Sequence, residues 1–436
     1  MSSPILHIKD AYYFEVPRFL KKSELKSRSE FPEHYIRLDS EYQDWEAKRQ
    51  YEGLAKLKNL QGLPAEGSLM NQYHAWVHAD GNFAKPFDRF LEEAPSQAWF
   101  QKQLGLGGFA FSSEPKQIPN ESDDAYAARL TAWNAAKSRA EALQKSWTTI
   151  KTNAENVKEY LDTTPDWSPA KLAEYNHQLD GKILIPQPFG KLKNNYERES
   201  GFAISKFMIL EAVVALILIA VFTILAAKIR HGKVVRGKLW NMFEAFLLFI
   251  RDDIARPAIG HHDADRFVPL LWTIFMFVLG CNLLGMLPWV GAPTGSFSVT
   301  FGLAMVTFAT VIVAGSLRFG IVGFWKNQVP HMDLPLPLAI VIVPGLFAIE
   351  VVGLLIKHLV LSIRLLANMV AGHLVLLAIM GLAVAAAASA NWHLTATISV
   401  IGSALFSLLE LFVAFLQAYV FTFLSALFIG AAVHHH

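Results

Sequence analysis

Polar and apolar positions mix irregularly as far as about residue 200; from Ala203 to Val433 the chain is mostly apolar runs. Five runs are long enough for the roughly 20 residues that a membrane-crossing helix needs. They are Phe207–Ala227, about Phe267–Val290, about Ser298–Leu317, about Leu338–Ala388 and His393–Val433. The last two exceed what a perpendicular helix requires, which predicts steep tilt or kinks. After the first run, Leu239, Phe243, Phe246, Ile250 and Ile254 share one helical face, with Asn241, Glu244, Arg251 and Asp252 opposite. That pattern predicts a helix lying in the membrane interface. Upstream, Tyr126, Leu130, Trp133, Ala140, Leu143, Trp147 and Ile150 recur at helical steps behind the capping residues Ser122, Asp123 and Asp124. The spacing predicts a long amphipathic helix over 123–160. Residues 1–120 predict short helices and loops, and Pro165, Pro186 and Pro188 break the chain ahead of the first span. The fold class is all-α: a soluble, mainly helical extension over 1–190 and a polytopic membrane domain over 191–433. That domain has about five spanning helices, the last two long and tilted, and one interfacial helix.

Composition agrees with a two-part chain. Over 436 residues, 53% are hydrophobic and 17% charged, and the mean hydropathy of +0.30 averages two unlike halves. A net charge of +2 with no dense basic patch argues against nucleic acid as a partner. Cys281 is the only cysteine, so neither an intrachain disulfide nor a thiolate metal site is expected. The first residues lack the basic-then-apolar pattern of a secretory signal. The loops at 228–238 and 318–326 are basic, whereas 291–297 and 387–397 contain no Lys or Arg. The positive-inside rule then places the N-terminus outside and the C-terminus inside. His74 and His78, with Asp80 nearby, share a helical face but lack a third ligand at a diagnostic spacing, so no metal site is expected. Tyr73, Trp76, Trp99 and Phe100 read as a small core. The terminal His434, His435 and His436 are set aside.

The chemistry concentrates in the last two runs. From Leu338 to Val433 the only charged side chains are Glu350, Lys357, Arg364 and Glu410. Glu350, Lys357 and Arg364 follow at seven-residue steps, which return to nearly the same helical face. Asn368 lies beside Arg364, and His373 falls on the opposite side. Ser403, Glu410 and Gln417 make a second such stripe. Ala367, Ala371 and Gly372 leave room for close helix approach. Lys357 with Glu350 can be a structural pair, and His373 with Glu410 a simple interhelical bond. Arg364 is different: its guanidinium cannot shed its charge and is costly to keep in hydrocarbon. It points to ion movement. Glu211 and Ser403 read as packing or interfacial groups.

The stretch LSIRLLANMVAGH resembles the signature of the subunit a family of rotary F-type ATP synthases, as do ILIPQPFGKL before the first span, CNLLGMLP in the second and LQAYVF near the end. The resemblance covers about residues 185–433. It implies that Arg364 is the essential stator arginine, accompanied by Asn368. Glu350 matches the acidic position fourteen residues upstream, His373 and Glu410 a histidine–acid pair, Gln417 a glutamine near the arginine, and Asn282 a polar position of the second span. Two offset proton half-channels are implied, beside a c-ring whose rotation drives ATP synthesis in a separate catalytic head. The implied partners are the c-ring, peripheral-stalk subunit b, the other subunits of the complex and the lipid bilayer. No cofactor is implied, and the implied location is a bacterial inner membrane. The chain departs from the family at His358, where proline is frequent, in the long connection AAAASANWHL, and in the whole extension. In this setting the helix over 123–160 is expected to dock on another subunit.

Two other classes stand beside this reading. A secondary cation transporter predicts inverted repeats and broken helices, and no internal repeat is evident. A purely structural membrane anchor leaves the Arg364 stripe without a role and offers no pair of midplane histidines for haem. No GxxxxGK[ST] phosphate loop occurs, so nucleotide chemistry is expected in partners.

Overall fold

The computed structural model describes residues 9–434 except 80, 83–84, 112–113, 117–121, 231–236, 288, 329–335 and 388–390, with 336–341 described by backbone only. Asp80, most of the basic loop after the first span, and part of AAAASANWHL therefore lie outside the described residues. The chain divides into two compact units. One holds the residues up to Leu20, Gly181–Lys191 and everything from Asn195; the other holds Lys21–Asp180 with Leu192–Asn194.

The second unit is helical: α1 (Glu33–Arg37), α2 (Ser40–Ala55), α3 (Glu66–Val77), α4 (Phe87–Glu93), α5 (Ala98–Leu104), α6 (Asp123–Ala154), α7 (Val157–Thr163) and α8 (Pro169–Leu179). Its core gathers Leu54, Leu69, Tyr73, Phe87, Phe90, Phe100 and Trp147, with Trp76 and Trp99 packed against it. The expected helix over 123–160 is two helices. After Ala154 the chain turns, and the Asn156 side chain accepts from Glu159 N at 3.0 Å, capping α7. An Asn that offers its oxygen to a helix start stabilises a new N-terminus more than a continued helix.

Asp39 ties this unit together. It is buried, accepts from Glu41 N at 2.9 Å as the N-cap of α2, and accepts from the Tyr175 hydroxyl at 2.7 Å. Its other oxygen contact is Lys171 Nζ at 2.8 Å. Burial alone pushes the Lys171 ammonium down, but hydrogen bonds to Asp39 and Glu41 outweigh it and leave its pKa raised. A raised lysine adds stability that is full below the unfolded value of 10.5 and is lost as pH rises through the folded value. The contact therefore holds across neutral pH. Asp39→Ala removes a cap and a partner of the half-buried Tyr175 and Lys171, and is expected to cost about 2 kcal/mol. Faster proteolysis within 21–180 in the full chain checks this; unchanged protection contradicts it.

The first unit begins with a pairing that no local pattern announces. Strand β1 (Tyr13–Glu15) runs antiparallel to β2 (Lys182–Leu184), with Tyr13 opposite Leu184 and Glu15 opposite Lys182. The same N-terminal segment holds the start of the first spanning helix: Ala11 O accepts from Lys206 N at 2.8 Å, and Asp10 Oδ1 from Phe207 N at 3.3 Å. Eight α-helices follow among the described residues: α9 (Lys206–Arg230), α10 (Lys238–Phe249), α11 (Arg256–Ile259), α12 (Ala264–Gly285), α13 (Phe297–Phe319), α14 (Ile321–Asn327), α15 (Leu336–Ala385) and α16 (Trp392–Val433), with a π-helical turn, Ile250–Ala255, joining α10 to α11. Five helices, α9, α12, α13, α15 and α16, are long and apolar enough to cross a membrane. With 50 and 42 residues, α15 and α16 are about 75 and 63 Å long against a hydrocarbon core of roughly 30 Å, so steep tilt follows.

Neighbouring spans run antiparallel. Phe222 of α9 stacks on Trp272 of α12 at 4.3 Å, while Val214 sits where a side chain on Gly280 would fall. Helix α16 fits against α11 only because residue 430 is glycine: a Cβ there would strike the Ala258 carbonyl. The amphipathic segment expected in the interface buries Ile250, Ile254 and Ile259 and leaves Arg251, Asp252 and Arg256 in an exposed charge network. The second span ends at Gly285, short of the expected Val290. Trp289 and Gly291, with φ of 66° and 92°, reverse the chain. The connection that follows is no surface loop. Residues 291–295 are buried, and Gly285 gives Met369 and Ala292 the space a side chain would occupy.

Candidate functional site

Helix α15 carries the candidate residues on three sides. Arg364 is exposed on a surface of Ile356, Val360, Ala367 and Ala371, with Leu409 and Phe412 of α16 also exposed. No hydrogen bond or ion pair joins Arg364 to any described residue. The chain thus presents an uncompensated guanidinium within an apolar outer face.

His373 and Glu410 meet on an inner side. His373 Nδ1 lies 3.5 Å from Glu410 Oε1, with the two side chains only 13% and 7% exposed. The approach depends on residue 372 being glycine: a Cβ there would stand 2.7 Å from Glu410 Oε1. Glu410, Asn368, Gln417 and Asn282 line one small cavity of about 20 Å³, room for a single water. Asn282 is fixed on both ends. Its Nδ2 donates to Ala414 O at 3.1 Å, and its Oδ1 accepts from the Thr294 hydroxyl at 2.8 Å. Thr294 was not among the residues singled out by sequence. It sits in a short turn whose burial is set by tertiary packing, so no local signal marks it.

Glu350 belongs elsewhere. It lines a cavity of about 310 Å³ with Lys357, Asn327 and Gln328 of the α14 end, and Phe428 of α16. Glu350 and Lys357 share this space without forming an ion pair with each other. On the axial rise of 1.5 Å per residue, Glu350 lies about 21 Å before Arg364 and His373 about 14 Å after it. Of the seven candidates, Glu350 lies in a cavity toward the start of α15, the His373–Glu410 pair lies toward its end, and the small cavity with Asn282, Asn368 and Gln417 sits on the inner side beside Leu365 and Met369, at the level of Arg364 on the outer face.

The remaining polar candidates are structural in geometry. His358 is buried between the rings of Phe308 and Phe428 and donates from Nδ1 to Leu354 O at 2.8 Å. Helix α15 runs unbroken through it, with histidine in place of the family's frequent proline. Ser403 lies partly buried on the α16 stripe. In the N-terminal helical unit His74 Nε2 pairs with Asp44 Oδ1 at 2.7 Å, and no group of three potential metal ligands occurs among the described residues.

The family profile described as ATP synthase A chain matches residues 208–430. That span contains all seven candidates. The chain belongs to the ATP synthase subunit a family. It is 40% identical over 237 residues to ATP synthase subunit a of Myxococcus xanthus, covering 54% of this chain and 75% of that protein. It is 37% identical over 272 residues to ATP synthase subunit a of Chloroherpeton thalassium, covering 61% of this chain and 78% of the relative. A subunit a from an Anaeromyxobacter species is 36% identical over 268 residues, 61% of each chain. As a subunit a, the chain is a multi-pass, non-catalytic, proton-translocating membrane subunit of an ATP synthase stator. Its N-terminal extension goes beyond the usual core.

Proposed function

We propose that Arg364 is the coupling arginine of this stator subunit, facing the carboxylates of a turning c-ring between two offset proton half-channels. One observation carries this reading: an unpaired guanidinium on an apolar outer face, with the Glu350 cavity displaced to one side along the same helix and the His373–Glu410 pair to the other. A charge of that kind needs a counter-charge from outside the chain. A ring carboxylate supplies one. It must be neutral while facing lipid, and beside Arg364 its ionised form is favoured by roughly 1–3 pKa units. Its proton leaves through one cavity and is replaced through the other. The fixed positive charge between them keeps protons from passing directly. Lysine is a poor substitute, since a buried ammonium can lose its proton and lacks the planar fork.

The Glu350 cavity serves one half-channel. His373, Glu410, Gln417, Asn368 and Asn282 serve the other, with His373 and Glu410 exchanging protons as a coupled pair. The proton-channel domain spans residues 191–433. The basic ends near Lys228 and Arg318 face the cytoplasm, so the N-terminus is periplasmic and the membrane is a bacterial inner membrane. The partners are the c-ring, peripheral-stalk subunit b and the remaining subunits. ATP-driven acidification of inverted vesicles tests the reading, because Arg364 variants must lose pumping without losing assembly.

The soluble extension docks on another subunit of the complex, through the largely exposed first half of α6. Val16 N donates to Gly181 O at 2.8 Å, so the ends of the 21–180 segment lie close together and a short linker can replace it. That replacement is expected to lower the yield of assembled complex severalfold. Unchanged yield would sink the docking role.

A further inference from the structure

At the end of the bundle where α12 begins and α13 ends, a cavity of about 180 Å³ opens between two arginines. Arg266 and Arg318 line it with Asp263, and Phe267, Val313 and Leu317 form an apolar wall. The antiparallel register of α9 and α12 sets this level beside Lys228 and Arg230, where the apolar spans stop. It is a membrane boundary. Arg266 is exposed and makes no side-chain hydrogen bond or ion pair with a described residue. Arg318 reaches Asp263 only at 3.9 Å, beyond hydrogen-bond distance, and its side chain is 56% exposed. The nearby Asp265 is drawn away to Arg256 at 3.5 Å. Two arginines against one aspartate leave the cavity with a net charge of +1.

We infer that this cavity binds the headgroup of a phospholipid carrying a single phosphodiester negative charge. Three features select that ligand. The net +1 matches one phosphodiester and falls short of a doubly charged phosphate. Two guanidinium forks, neither hydrogen-bonded to a described side chain and one only loosely paired with Asp263, offer the planar donors that phosphate oxygens accept. The wall continues outward onto α13, where Val313 is 56% and Leu317 72% exposed. That strip is a bed for an acyl chain, which a free anion has no use for. Basic pockets between spanning helices at the membrane boundary are a recurrent form of anionic-lipid site. The bound lipid would bridge α12 and α13 at the base of the bundle and hold the cavity closed to water. Nothing in the coupling mechanism uses these residues.

The test uses the intact ATP synthase in phosphatidylcholine nanodiscs with a trace of phosphatidylglycerol bearing a photoactivatable acyl chain. Label is expected on the peptide containing Val313–Arg318. Each arginine near a charged headgroup contributes enough to lower labelling about fivefold when lost, and Arg266→Gln with Arg318→Gln together about thirtyfold. The corresponding double lysine variant keeps most of the labelling. Excess unlabelled phosphatidylglycerol competes, and inorganic phosphate does not. Equal labelling by a zwitterionic phosphatidylcholine probe would overturn the proposal, as would unchanged labelling in the glutamine variants. Displacement by inorganic phosphate would mean a free-anion site and would also overturn it. Should the double variant fail to assemble, the single variants and the phosphatidylglycerol-to-phosphatidylcholine ratio in the wild type decide.

Discussion

Arg364→Ala is expected to abolish ATP-driven acidification of inverted vesicles while the complex assembles in normal amount. The two outcomes separate because Arg364 lies on the outer face and bonds to no described residue of its own chain. Its removal breaks no packing and leaves no buried partner stranded. If anything, losing an uncompensated charge from an apolar surface relieves a cost of about 3 kcal/mol. The loss falls on the partner carboxylate instead. Without the guanidinium, the ionised state loses the stabilisation that shifts its pKa by roughly 1–3 units, and the barrier to direct proton passage goes as well. Passive proton leak should therefore rise as pumping falls. Arg364→Lys is expected to recover little, since it restores charge but neither the fork nor permanent protonation. Normal pumping by the alanine variant would remove Arg364 from the mechanism.

The second large effect is expected at Glu410. Glu410→Leu should lower pumping roughly 100-fold, the lower end of what a positioned acid–base group contributes. The carboxylate has little choice of position. His373 is 3.5 Å away, Gly372 makes the room for its oxygen, and only a one-water cavity joins it to Asn282 and Gln417. A pair defined by proximity should tolerate exchange. His373→Glu combined with Glu410→His is expected to recover a substantial part of the activity that either single change loses. Gly372→Val should mimic the loss at Glu410, because its side chain takes the space of the carboxylate. If Glu410→Leu pumps normally, the small cavity is a packing feature and proton access on that side lies elsewhere.

The membrane helices were legible because hydrocarbon imposes a length and an apolar composition that few soluble segments meet. The site was legible for the same reason: four charges in almost a hundred apolar residues stand out, and seven-residue spacing puts them on faces. What the pattern could not convey is which groups share a cavity. Glu350 and Glu410 look alike in sequence, yet Glu350 opens to Asn327 and Gln328 while Glu410 faces Asn282 across three helices. Thr294 and the β1–β2 pairing were hidden for a related reason. Both depend on contacts between distant residues, and three-residue strands carry too little alternation to be read. The break after Ala154 was hidden differently. The apolar steps of α6 run on past the point where Asn156 starts a new helix, and a cap preference of about 1 kcal/mol decides the outcome locally.

Coupling through Arg364 requires two water-accessible routes that open to opposite sides of the membrane and meet only through the ring. Side-resolved thiol labelling measures this directly. Cys281 is buried and can be replaced first, and single cysteines then installed at Glu350 and at His373. In inverted vesicles, an impermeant thiol reagent added outside should label residue 350 and leave residue 373 unlabelled. In right-side-out vesicles the pattern should reverse. Labelling of both positions from the same side would contradict the offset half-channels and the role assigned to Arg364 between them.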